Sequence, residues 1–223
     1  MNDHGQPVLY ALVTGSPAAR DIGKLVDLAR ADGWDVCVIA SPDGYRFLDP
    51  TSVTARTGHT VRHRYKEPDA PDVLPTADAI VVAPITCNSL AKWAVGISDT
   101  LPLGLLVEAV GKRQPVVAMP FSNRAQISFP AIQDAITKLT AWGVTVLVGD
   151  DIYNQHEPGT GDNYVHLFPW HLAWQAVLQH PWLAHKTAEP IAPPMPLMSR
   201  GTGGGRERRT TRWEWARRRH GRR

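Results

Sequence analysis

The sequence has little that would brace it covalently or hold it in a bilayer. Of its 223 residues only two are cysteine, Cys37 and Cys87. Both stand in apolar contexts, which argues against a disulfide scaffold and for a reducing cytoplasm. No apolar run reaches the roughly 18–20 residues that a membrane span requires. The opening segment from Met1 to Pro7 lacks a basic region followed by an apolar one, so no signal peptide and no membrane partner are expected. There is no Walker-type Gly-Lys-Ser, which disfavours nucleotide hydrolysis. His156, His166 and His171 lack metal-ligand spacing and are read as structural or exposed, so no metal site is expected.

Charge of one sign is also scarce until the end of the chain. The net charge is +3, but Arg200 to Arg223 holds ten arginines against Glu207 and Glu214. That leaves the tail at +8 and the rest of the chain at −5, a mildly acidic body with a basic extension. The chain divides into a domain over residues 1–186 and a Pro-, Gly- and Arg-rich tail over 187–223. The tail has no core pattern and reads as disordered. Its arginines and tryptophans fit a nucleic-acid or acidic surface; the plainer reading is a solvated tail.

What the body does have is alternation. Apolar runs at Val8–Thr14, Val36–Ala40, Ala79–Ala83, Pro115–Met119 and Val144–Val148 suit strands buried on both faces. Between them lie helical patterns near 18–31, 89–97, 103–110 and 130–142, with a closing helix over 170–178. Ile22, Leu25, Val26 and Ala29 mark one face of the first helix. Residues 49–76 are polar and Pro-containing, with one short strand expected near Thr60-Val61. The pattern predicts an α/β fold, a Rossmann-like three-layer α/β/α arrangement around a doubly wound parallel sheet.

In such a sheet, ligands bind beyond the carboxyl ends of the strands. Thr14-Gly15-Ser16 joins a strand to a helix, where free amides, the helix dipole and a hydroxyl suit a phosphate. Ser41-Pro42 repeats the arrangement after the second strand. No acidic residue ends that strand to hold a ribose, which argues against NAD and leaves a mononucleotide such as FMN.

Two further loops carry a family resemblance. Val13-Thr-Gly-Ser-Pro-Ala-Ala19 resembles the phosphate loop of the flavin-containing cysteine decarboxylases, those acting on phosphopantothenoylcysteine or on lanthipeptide C-termini. Pro84-Ile-Thr-Cys-Asn-Ser89 is similar to their Pro-Ala-Ser-Ala-Asn-Thr motif, keeping Pro84 and Asn88 and replacing the two alanines with Ile85 and Cys87. Pro120-Phe-Ser-Asn-Arg-Ala-Gln-Ile127 stands where the family has Pro-x-Met-Asn-x-x-Met-Trp. Pro120 and Asn123 survive there, while Ser122 and Gln126 replace the methionines.

The resemblance spans about Val8 to Val148. It implies FMN held by Gly15, Ser16 and Ser41, with Pro84, Thr86 and Asn88 near the ring, and a substrate carboxylate held by Asn123. It also implies a homotrimer or larger homo-oligomer. The activity it implies is a diverged flavin-dependent decarboxylase or oxidoreductase, a lyase acting on a thiol- or cysteine-containing carboxylate of a small molecule or peptide C-terminus. The register of the family's catalytic histidine falls on Ala70, leaving His59 or His63 as substitute bases. No cysteine stands in the Asp151–Tyr164 segment, where the coenzyme A enzyme carries one on its flap; Glu157-Pro-Gly-Thr-Gly-Asp162 is read as a lid or a surface loop. A flavin-binding regulatory subunit is the alternative reading, and a flavin prenyltransferase-like enzyme a third.

Overall fold

The computed structural model describes residues 5–71, 73–181 and 183. Five parallel strands form its sheet: β1 (Val8–Val13), β2 (Asp35–Ala40), β3 (Ala79–Ile85), β4 (Val116–Pro120) and β5 (Thr145–Val146). Their spatial order is β2-β1-β3-β4-β5. The chain moves outward from β1 to β2 on one side and from β3 to β5 on the other, so the winding reverses between β1 and β3, which opens a crevice at their carboxyl ends.

The helices are α1 (Gly23–Ala31), α2 (Pro42–Tyr45), α3 (Pro50–Thr57), α4 (Cys87–Trp93), α5 (Leu101–Gly111), α6 (Arg124–Ile127), α7 (Pro130–Ala141) and α8 (Trp170–Leu178). Strand side chains alternate between faces, and two separate cores result. Leu9, Ala11 and Val13 of β1 join Leu25 and Val26 of α1 and Trp174 of α8 on one face. Leu12, Val82 and Ala118 join Trp93 of α4, Leu106 of α5 and Leu139 of α7 on the other. The three-layer arrangement is the one the alternating pattern predicts.

Local departures from the sequence reading have physical causes. The first helical segment is split: a 3₁₀ turn over Pro17–Asp21 precedes α1. That tighter turn fully buries Ala18 and Ala19, and glycine at position 23 is a poor helix former. Helix α3 lay hidden in the polar 49–76 stretch because it buries only Val53 and Thr57. Its ends are nonetheless well marked: Asp49 accepts from the Thr51 and Ser52 amides at 3.1 Å, and Gly58 closes it at φ 77°. The strand expected near Thr60-Val61 reduces to a single parallel bridge between Arg62 and Ile39. The last strand is only two residues long, at the sheet edge.

Trp170 and Trp174 pack α8 against the sheet, and Trp174 meets Trp34 edge-on at 5.3 Å. Trp182, the boundary at 186/187 and the basic tail lie outside the described residues.

Candidate functional site

Four turns leave the carboxyl edge of the sheet side by side. The first follows β1. Thr14 donates its amide (3.1 Å) and hydroxyl (3.2 Å) to the Pro84 carbonyl, and its Oγ1 accepts from the Thr86 amide at 2.8 Å. One threonine thereby fixes the β1 and β3 exits to each other at the switch point. Pro84 acts through that carbonyl and lies buried in β3.

The second turn follows β2. Ser41 caps α2, its Oγ accepting from the Gly44 amide at 3.0 Å, so its hydroxyl proton remains available to a ligand. The β1 and β2 turns touch closely. A Cβ on Gly15 would lie 2.8 Å from Asp43 Cβ, and one on Gly44 would lie 2.8 Å from the Val13 carbonyl. Both glycines are required by this approach of one turn to the other.

The third turn starts α4, where Thr86 caps the helix by accepting from the Ser89 amide at 3.2 Å. Gly15, Ser41, Thr86 and Asn88 converge on one cavity of about 570 Å³, within the size range of small-ligand sites. Other members of its wall were not nominated by sequence reasoning. Arg46 and Lys92 bring cationic groups, paired with Asp43 at 3.9 Å and Asp99 at 2.6 Å, and Phe47 an aromatic face. Arg46 falls one helical turn beyond Pro42, a spacing that could have exposed it. Ser16 is buried beside this turn, and its Oγ has no hydrogen-bond partner among the described residues. A buried hydroxyl without a partner is costly, and a bound oxyanion would satisfy it. The fit to a phosphate rests on that orphaned hydroxyl and on the Gly15 and Ser41 turns that line the cavity.

The fourth turn follows β4. Asn123 caps α6, its Oδ1 accepting from the Gln126 amide at 2.9 Å, which leaves Nδ2 to donate outward. Its neighbour Ser122 is buried and accepts from the Cys87 thiol at 3.2 Å. Burial pushes the Cys87 thiol up, partly opposed by that bond. Tyr153 bonds the Pro120 carbonyl, and burial, then the adjacent Cys87, push its phenol up.

The two candidate bases separate. His59 is a correction: its Nε2 pairs with Asp35 Oδ1 at 2.8 Å, and Asp35 opens β2. At about 3.3 Å rise per residue, that end of the strand lies far from the carboxyl-edge turns, so His59 braces the opposite edge of the sheet. His63 lies past the carboxyl end of β2, stacked on Tyr45 at 4.0 Å. Of the three histidines read as structural or exposed, His166 and His171 are exposed and His156 is buried against Phe121 and Tyr164.

The pattern of the flavoprotein family matches residues 2–163. Mouse phosphopantothenoylcysteine decarboxylase is 30% identical over 138 residues, covering 59% of this chain and 67% of the mouse protein. The coenzyme A biosynthesis bifunctional protein of Haemophilus influenzae is 24% identical over 141 residues, covering 60% of this chain. The chain spans only 34% of that bifunctional relative's length. Among solved structures, the FMN-dependent cysteine decarboxylase TvaF from thioviridamide biosynthesis is similar at a TM-score of 0.59 and 23% identity, covering 78% of this chain and 100% of the other. The FMN-binding protein AtHal3 gives 0.55 and 22%, covering 73% and 96%. At such identities these structures speak for the fold. The family match runs through all four turns just described, and on its extent the chain belongs to the flavoprotein family.

Proposed function

We propose that the protein binds FMN without a covalent bond and works as a diverged flavin-dependent decarboxylase or oxidoreductase on a thiol-bearing carboxylate. The substrate is a small molecule or a peptide ending in cysteine. The observation that carries this reading is the convergence of Gly15, Ser41, Thr86 and Asn88 on one cavity, beside the unpartnered Ser16 hydroxyl.

In this reading Ser16, Ser41 and the amides of the first turn hold the phosphate, with Arg46 adding charge. Thr86 and Asn88 face the ring. Bound FMN would supply a two-electron acceptor for the carbon next to sulfur. Asn123 Nδ2 donates to the substrate carboxylate: a neutral donor orients that group without the strong hold of a cation, so it can depart as carbon dioxide. The partly buried Cys87–Ser122 contact keeps the Asn123 turn in register with α4.

A homotrimer or larger homo-oligomer in the cytoplasm completes the proposal. Val95, Ile97 and Phe129 are exposed apolar side chains that suit contacts between copies. The alternative, a regulatory flavin-binding subunit, is favoured by one observation: the family's base register falls on Ala70, while His59 braces the wrong edge of the sheet.

The test is an absorption spectrum of the purified chain with mass spectrometry of the released chromophore. FMN, followed by loss of carbon dioxide and two hydrogens from a cysteine-ended peptide, supports the enzyme. FMN without turnover favours the regulatory reading. A colourless protein that also refuses added FMN overturns both.

A further inference from the structure

We propose that His156 is the acid–base group of this site, set beside Asn123 by the segment that covers the β4 turn, and that it takes the proton of a bound substrate thiol. The inference rests on the reading of the site as one for a thiol carboxylate.

The placement is specific. The Arg124 amide donates to the His156 carbonyl at 2.9 Å, which ties this segment to the residue immediately after Asn123. The imidazole packs on Phe121 at 5.0 Å and on Tyr164 at 5.8 Å. It is only 6% exposed, and its Nδ1 has no hydrogen-bond partner among the described residues. The adjacent Gln155, 7% exposed, also leaves both side-chain amide atoms without partners there. Buried polar groups almost always find partners. Three unpartnered atoms on two consecutive residues, beside the Asn123 turn, mark a wall that a ligand completes.

The chemistry follows from the ring. Burial pulls the His156 imidazole below its ordinary range, so it is neutral near pH 7 and one ring nitrogen carries a free lone pair. Tyr164 is the titratable side chain whose ring lies tilted against it, and Arg124 and Glu157 flank its backbone. In the proposed step the substrate S–H bond breaks, the proton goes to the imidazole, and sulfur keeps the electron pair as thiolate. Asn123, the residue before the amide that holds the His156 carbonyl, keeps its Nδ2 as a donor for a carboxylate. A proton acceptor next to a carboxylate donor selects a substrate whose thiol lies close to its terminal carboxylate.

Access comes from the Glu157–Asp162 turn. A Cβ on Gly161 would lie 3.0 Å from His156 Nε2, and Gly159 adopts φ 81°, so glycine at both places lets the turn lie close over the ring without strain. Its ends are held by exposed ion pairs, Arg124–Glu157 at 3.4 Å and Arg20–Asp162 at 3.3 Å. Such pairs contribute little, and a turn so held can lift to admit substrate.

The test compares the full FMN-loaded chain with His156→Gln. Anaerobic flavin bleaching by a cysteine-ended peptide is expected to fall about 100-fold or more near pH 7, with flavin uptake retained and the acid limb of the rate profile lost. In parallel, N-acetylcysteine is titrated into the wild-type chain and the His156 imidazole is followed by NMR, assigned through its contacts with the Phe121 and Tyr164 rings. Its resonance and titration midpoint are expected to move while those of His59 do not. Wild-type bleaching by the variant overturns the inference and leaves the proposed function standing. A His156 resonance unmoved at saturating N-acetylcysteine overturns it whether or not the flavin is reduced. A wild-type chain that never bleaches, with His156 still responding to the thiol, overturns the redox reading and supports the base.

Discussion

Cys87 and Ser122 meet at 3.2 Å, the thiol of one donating to the hydroxyl of the other. Each replaces a residue of the resembled motifs, alanine in one and methionine in the other, and they come from different turns. Two departures that look independent along the chain form one contact across the site. Ser122→Met alone is expected to overpack a buried position and cost about 1–3 kcal/mol. Adding Cys87→Ala vacates the space, so the double variant recovers part of the loss. A double-mutant cycle by urea unfolding checks this; strict additivity would refute the coupling.

Ser16 and Ser41 separate binding from stability. Ser41→Ala removes the cap on the Gly44 amide and should cost about 1 kcal/mol as well as weakening FMN. Ser16 Oγ has no partner among the described residues, so Ser16→Ala should leave the ligand-free chain as stable as wild type or slightly more so. It should still weaken FMN more than riboflavin, which lacks the phosphate. Thermal melts and fluorescence titrations with both flavins decide the matter.

Gly15→Ala and Gly44→Ala each force a Cβ to within 2.8 Å of the neighbouring turn. Both should lower flavin affinity by roughly tenfold or more, since even small displacements misplace a preorganised site. Gly33→Ala is the control. Its φ of 81° is strained for alanine, yet a Cβ there meets nothing. It should cost about 1–2 kcal/mol of stability and leave flavin affinity unchanged.

Acid should destabilise the fold through two histidines. Burial lowers both His156 and His180. Their stabilising contribution is full above the unfolded histidine value of about 6.5. Below that value the unfolded chain binds protons that the folded chain resists, so stability falls as pH drops. Melting temperatures measured from pH 7.5 down to 5 should decline, and His156→Gln should decline less steeply.

His59→Ala should leave flavin binding and turnover intact, because its Asp35 partner stands at the amino end of β2. The variant loses a half-buried contact worth about 1 kcal/mol. A specific loss of turnover at wild-type stability would place His59 in the chemistry after all.

Much of this was legible in the chain itself. Continuous apolar runs, too short for anything but strands and separated by helical periodicity, dictate a parallel sheet with covered faces, because only that arrangement buries such runs on both sides. The turns at Gly15 and Ser41 could be nominated because strand-to-helix turns share one edge of such a sheet, and Thr86 and Asn88 because their motif resembles the family's. What the sequence withheld depends on contacts between distant segments. Helix α3 has too narrow an apolar face to announce itself. His59 and His63 are four residues apart, yet the chain between them runs alongside β2 and delivers them towards opposite edges of the sheet. The burial of His156 arises only when the Arg124 amide captures its carbonyl and Phe121 and Tyr164 enclose its ring. Local periodicity determined the elements of this protein; long-range hydrogen bonds and ring packing decided which of its polar groups are buried and which of those are left without partners among the described residues.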